Sequence, residues 1–251
     1  MESIVKKIVC LGMSVMAMTI SARSPLIIGH RGASGYEPEN TLRSFERAIA
    51  MGAQMIELDV HLAKSGEIVV IHDATIDRTT DGKGNVRDLS WKQLQKYHVG
   101  TSERLPLLSE VFEAVNQRAT IIIELKDPAA ALPVADLITG YVKHKKCSYE
   151  NFIVASFDHY AVLRFHEYCP QVKTGVIFDG NPIGYADIAR RAHANYAMMA
   201  YEWITKEFIA DAHASGIQVF AYTVNTQAIA KKLRKLKIDG MVSNYPDILS
   251  R

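Results

Sequence analysis

Long apolar runs are scarce in this chain of 251 residues. The most prominent, IVCLGMSVMAMTI at positions 8–20, is thirteen residues long, too short to span a bilayer comfortably, since a crossing helix needs about 20. Strong charge of one sign is missing too. The formal net charge is +2 and no basic run could track a phosphate backbone, so nucleic acid is not an expected partner. There is no low-complexity tract, no long linker and no repeat with a period of 20–50 residues, which removes disordered and solenoid architectures. Cysteine is rare, with three in the chain: Cys10, Cys147 and Cys169. A disulfide-stapled scaffold is therefore excluded.

What is present is an ordinary globular balance, 48% hydrophobic and 22% charged, enough to build a sizeable core. Lys6 and Lys7 precede the short apolar run and SARS follows it. A basic segment, a short apolar segment and small residues in that order make a secretory signal peptide, cut after Ala22. The expected domain is then 23–251, nearly neutral, in a periplasmic or secreted protein; without cleavage the protein would be cytoplasmic. Cys147 and Cys169 would remain, as a pair in an oxidising compartment or as two half-buried thiols.

Short apolar runs recur at PLIIG (25–29), MIELDV (55–60), TIIIELK (120–126), NFIVASF (151–157), KTGVIFD (173–179), NYAMMAY (195–201), IQVFAYTV (217–224) and DGMVSN (239–244). Segments of helical period separate them. In TLRSFERAIAMG, Leu42, Phe45, Ala48 and Ile49 share one face and Gly52 closes the helix. Eight strands alternating with helices predict a closed (β/α)8 barrel, with an open doubly wound sheet as the alternative. Residues 63–105 break the alternation: SGEIVVIHD reads as a strand, and a polar, turn-rich stretch follows. This is an insertion after the second strand, in the loop position where catalytic groups of such barrels sit.

Charges interrupt two of the apolar runs. In a strand, residues two apart share a face, so Glu57 and Asp59 point one way and Ile56, Leu58 and Val60 the other. Glu124 and Lys126 share a face likewise. If the second and third strands are neighbours, three carboxylates and an ammonium converge at their carboxyl ends. That density of hard oxygen donors suits one divalent cation, Mg²⁺ or Ca²⁺. His30 and His72 end two strands and can exchange protons near neutral pH, while Arg31 and Lys126 can hold an anion. The set describes metal-assisted chemistry on a phosphodiester.

The stretch IGHRGASGYEPENTLRSFERAIAMGAQMIELDVHLAKSGEIVVIHD resembles the opening of glycerophosphodiester phosphodiesterases, and DRTTDGKG, LPLLSEVF, IIIELK, ASF, YTVN and DGMVSNYPD continue the similarity to the end. The resemblance implies a TIM barrel with a small insertion after the second strand. It also implies hydrolysis of glycerophosphodiesters to sn-glycerol 3-phosphate and an alcohol, through attack by the substrate's own glycerol hydroxyl and a cyclic phosphate that water opens. By the same resemblance, His30 and His72 are the acid/base pair, Glu57, Asp59 and Glu124 the metal ligands, and Arg31 and Lys126 the phosphate-binding groups. Two departures stand at strand ends: Tyr222 replaces a usual Trp, and Asn244 a frequent Asp. Both are expected to bear on substrate choice and neither to touch the chemistry. Competing readings are phospholipase D-like hydrolysis of lysophospholipids at the same site and a non-catalytic periplasmic binding protein. The latter would have lost at least one of the seven residues, and none is lost.

Overall fold

The computed structural model describes residues 24–145, 147–180 and 182–250; the expected leader, 1–22, lies outside the described residues. Within them, eight parallel strands follow one another around a closed barrel: β1 (Leu26–His30), β2 (Met55–Leu62), β3 (Thr120–Leu125), β4 (Phe152–Ser156), β5 (Lys173–Phe178), β6 (Tyr196–Ala200), β7 (Gln218–Tyr222) and β8 (Gly240–Ser243). Each falls on one of the eight apolar runs. β1 pairs with β2 on one side and with β8 on the other, through Leu26↔Gly240 to Gly29↔Ser243. That last ladder closes the barrel and excludes the open sheet.

Period two separates two cores. Ile28, Ile122, Ile153, Ile177, Met198, Phe220 and Val242 fill the barrel's interior. Ile56, Leu58, Ile121, Ile123 and Val154 face outward into the ring of helices. Each such side chain, once buried, contributes roughly 1.5–3 kcal/mol relative to an exposed one. The first helix, α1 (Leu42–Ala50), buries Phe45 and Ala48, with Leu42 and Ile49 packed partly beneath. Its N-cap Thr41 accepts from Ser44 N at 3.2 Å and donates its hydroxyl to Pro38 O at 2.7 Å, a cap contributing about 1 kcal/mol. Glu37-Pro38-Glu39-Asn40 is thereby held as a fixed turn over the barrel mouth.

The insertion follows β2 and precedes the next barrel helix (Leu108–Val115). Its strand Ile68–Val70 lies antiparallel to the end of β2, pairing Val60 with Val70. A separate small core of Val69, Ile71, Ile76, Val86 and Leu94 holds it together. Cys147 and Cys169 are both free thiols, Cys169 buried and Cys147 half-buried.

Candidate active site

The HRG turn after β1 shapes the first corner of the site. Arg31 adopts φ 51 and Gly32 φ 83, the left-handed region that costs a non-glycine residue free energy. Gly32 has no room for a side chain, because a Cβ would lie 2.5 Å from the Ser44 backbone. Three hydrogen bonds fix Arg31 in its strained form: its N–H donates to Glu57 Oε2 at 2.9 Å, and its carbonyl accepts from Ser44 Oγ at 2.9 Å and from Asn40 N at 3.1 Å. The guanidinium then reaches Glu39 Oε1 at 2.8 Å and lies 3.4 Å from Asp59 Oδ2.

Glu57 and Asp59 from β2 and Glu124 from β3 meet inside the barrel mouth, with Asp59 directly opposite Glu124 in the ladder. All three are buried, and one oxygen of each lies within 4.8 Å of the others. Two oxygens on one ion can be no further apart than about 5 Å for Ca²⁺ or about 4 Å for Mg²⁺, so the triad has the spacing of a Ca²⁺ site and would close slightly around Mg²⁺. Burial, then the charges of Asp59 and Glu124, pushes the Glu57 carboxyl well above its usual range. Burial, then Asp59, pushes Glu124 up to about 7. A cation relieves both effects. Asn40 donates Nδ2–H to Asp59 Oδ2 at 2.8 Å, leaving Oδ1 of that carboxylate toward Lys126, whose Nζ is 3.6 Å away. Lys126 Nζ lies 2.7 Å from Glu124 Oε1, an ion pair that leaves this buried carboxylate oxygen a lone pair for another partner. Burial would lower the Lys126 ammonium's pKa, but Glu124 and Asp59 outweigh it and raise it.

The two histidines differ in their partners. His30 Nδ1 donates to the Asn244 amide oxygen at 2.6 Å, and its Nε2 stands 4.0 Å from Glu57 Oε2. Burial, then the Arg31 charge, lowers its pKa to about 4, so the ring is neutral at pH 7. His72 Nδ1 instead donates to the Asp73 carboxylate at 2.6 Å, and the His72 carbonyl accepts from His61 Nε2 at 3.1 Å. Asp73 and Glu39 are both bonded by Arg78, which extends from the insertion. A cavity of about 190 Å³ joins six of the seven predicted residues, His30, Arg31, Glu57, His72, Glu124 and Lys126. The seventh, Asp59, is the most buried carboxylate, beneath Arg31 and Lys126. The opposite wall is apolar, with Ile177, Met198, Tyr222 and Val242. Phe157 leans over Lys126 at 5.6 Å from ring centre to ammonium.

One expectation from the sequence is overturned. Asn244, expected to bear only on substrate choice, bonds directly to His30, one of the two candidate acid/base residues. Asn225 of the YTVN stretch fixes it, accepting from Asn244 N at 3.0 Å. Tyr222 directs its hydroxyl elsewhere, donating to Phe178 O at 2.5 Å. Of the two neighbouring aspartates, Asp73 orients His72, while Asp127 caps a helical turn by accepting from Ala129 N. Sequence reasoning missed Glu39, Asn40 and Arg78, although PENT and DRTT carried the signal: polar residues fixed within otherwise loop-like motifs.

Comparisons with known proteins point to one family. The model of the glycerophosphoryl diester phosphodiesterase family matches residues 30–248. The Bacillus subtilis protein YhdW is 38% identical over 236 residues, covering 89% of this chain and 96% of its own. A glycerophosphodiester phosphodiesterase of Caldanaerobacter subterraneus is 33% identical over 233 residues, covering 89% of this chain and 96% of that protein. Among solved structures, an Oleispira antarctica phosphodiesterase in complex with the product sn-glycerol-3-phosphate superimposes with a TM-score of 0.83 at 26% identity, over 90% of this chain and 96% of that one.

Proposed function

The chain belongs to the glycerophosphoryl diester phosphodiesterase family and is a phosphoric diester hydrolase; from that membership we propose how its own side chains split a glycerophosphodiester into sn-glycerol 3-phosphate and an alcohol. The observation that carries the reading is the buried carboxylate triad facing two cations and two histidines across one cavity. Glu57, Asp59 and Glu124 would hold a divalent cation, Mg²⁺ or Ca²⁺. When bound there, such an ion supplies positive charge against the phosphoryl oxygens.

Arg31 and Lys126 bind the anionic phosphoryl oxygens and offset the charge that builds on them in the transition state. Their orientation is set in advance, by Glu39 for Arg31 and by Glu124 for Lys126. His30 is held neutral with a neutral amide partner, so its Nε2 takes the proton from the attacking hydroxyl. His72 has a carboxylate partner as counter-ion for its charged ring, so its Nε2 delivers a proton to the departing alcohol. The apolar wall across the cavity packs the unreactive part of the substrate and keeps water from it.

The test compares glycerophosphocholine with a glycerophosphodiester whose alcohol is 4-nitrophenol, beside a lysophosphatidylcholine control. Release of glycerol 3-phosphate is expected to stop in excess EDTA and return with Mg²⁺ or Ca²⁺; full activity in excess chelator would sink the metal role. His30→Ala and His72→Ala are each expected to lower turnover of glycerophosphocholine about 10²–10⁴-fold. The nitrophenyl ester, which needs no proton on leaving, is expected to restore His72→Ala and not His30→Ala. Equal rescue of the two overturns the division of roles, and faster turnover of lysophosphatidylcholine than of glycerophosphocholine overturns the substrate class.

A further inference from the structure

Arg78 touches none of the seven residues, yet its guanidinium lies between two carboxylates that do. One edge donates to Asp73, Nε to Oδ2 at 2.7 Å and Nη2 to Oδ1 at 3.0 Å. The other donates to Glu39, Nη1 to Oε2 and Nη2 to Oε1, both at 2.8 Å. The two oxygens that share Nη2 are the ones already engaged by the machinery: Asp73 Oδ1 accepts from His72 Nδ1, and Glu39 Oε1 accepts from Arg31 Nη1. A continuous chain of charge-assisted bonds therefore runs His72, Asp73, Arg78, Glu39, Arg31.

We propose that Arg78 is a positioning residue that acts at both ends of the reaction, locking the His72 ring through Asp73 and aiming the Arg31 guanidinium through Glu39. The proposal rests on the roles given above to His72 and Arg31. Without Arg78, two like charges would face each other across a gap with no counter-ion between them, and each carboxylate would be free to turn from its partner. With Arg78 in place, the Asp73 carboxylate can only accept, so His72 must carry its proton on Nδ1 and present Nε2 to the cavity. Arg78, like His72 and Asp73, comes from the insertion, so one planar fork ties the insertion's share of the site to Glu39 and Arg31 on the barrel side. An ammonium cannot replace that fork, because it lacks the two parallel edges. Arg78 is also 48% exposed, and exposed ion pairs add little stability, so the effect on function is separable from the effect on folding.

The test uses the full chain with ¹⁵N-labelled histidine, the His72 signals being assigned by comparison with His72→Gln. In the wild type, the deprotonated His72 ring is expected to hold its one proton on Nδ1, Nε2 being the nitrogen that carries the transferred proton of the acid form; in Arg78→Met the two nitrogens of the deprotonated ring are expected to average toward a mixture. Turnover of glycerophosphocholine is expected to fall at least tenfold and KM to rise at least threefold, with the melting temperature lowered by no more than about 5 °C. Arg78→Lys is expected to recover less than half of the lost turnover. In an Asp73→Asn background, Arg78→Met is expected to cost less kcat than it does in the wild type, because the route to His72 is already cut and only the route to Arg31 remains. A wild-type tautomer in Arg78→Met, kcat losses that multiply in the double variant, or lost activity that merely tracks a lower melting temperature would each overturn the proposal. The tautomer is read without substrate. If the wild type hydrolysed no glycerophosphodiester, the functional reading would fail while the nitrogen signals still decided the tie between Arg78 and His72.

Discussion

His30, the proposed base, is buried and has a partner that can be changed by one atom. Burial and the neighbouring Arg31 charge hold it near 4, and the amide of Asn244 gives its Nδ1 proton a neutral acceptor. Asn244→Asp puts a full negative charge at that contact, which favours the protonated ring and is expected to raise its pKa by about one to two units. A base works when neutral, so activity is lost as pH falls through its pKa. The acidic limb of the kcat/KM profile is therefore expected to move upward, with activity at pH 5.5 falling relative to pH 7.5. An unmoved limb would show that the residue after β8 does not tune this histidine. The contact spans 214 positions, which is why it could not be read from the sequence: no periodicity links residues so far apart.

At the level of elements, β3 joins structure and chemistry in six residues. Ile121 and Ile123 face the helices, and Glu124 faces the barrel mouth with Lys126 just beyond. The two charges are expected to fail differently. An ion at one hundred times its dissociation constant stabilises the fold by about 2.7 kcal/mol, or roughly 5–10 °C in a chain of this size. Glu124→Gln is expected to lose most of that rise in Mg²⁺ or Ca²⁺, whereas Lys126→Met keeps it but raises KM or lowers kcat about tenfold. Scanning calorimetry with and without ion separates them, and identical thermal responses would remove Glu124 from the ligand set. Elements of this kind were legible in the sequence because β-branched runs and period two fix both the strand and its inward face. The eight strands, the closed barrel and the insertion could all be read that way. Loop residues such as Glu39, Asn40 and Arg78 have no period, and their value depends on what the turn brings near them.

For the whole molecule, the tie between barrel and insertion is electrostatic as well as apolar. Glu39 sits in the turn before α1, and its partner Arg78 lies 39 residues on. Burial would raise the Glu39 carboxyl, but Arg78 and Arg31 outweigh it and hold it down to about 2. A group depressed below its unfolded value, about 4.5, stabilises the fold above that pH, and the contribution disappears as pH falls through the folded value. Allowing for solvent screening of a partly exposed group, about 1–2 kcal/mol is at stake. Urea unfolding is expected to show Glu39→Gln less stable than the wild type by that amount at pH 7, with the gap closing between pH 4.5 and 2. A constant gap across that range would mean that Glu39 contributes packing and not charge.

The pairing of β1 with β8 also sets an order in time. All seven candidate residues lie within the first 126 positions, yet His30 meets Asn244 only after the final strand has been laid against the first. A chain still emerging from the ribosome carries these acids, bases and cations before the strand that closes the barrel around them has been made. The contact of His30 with Asn244 waits on the β1–β8 ladder, so one pairing both closes the barrel and completes the surroundings of this histidine.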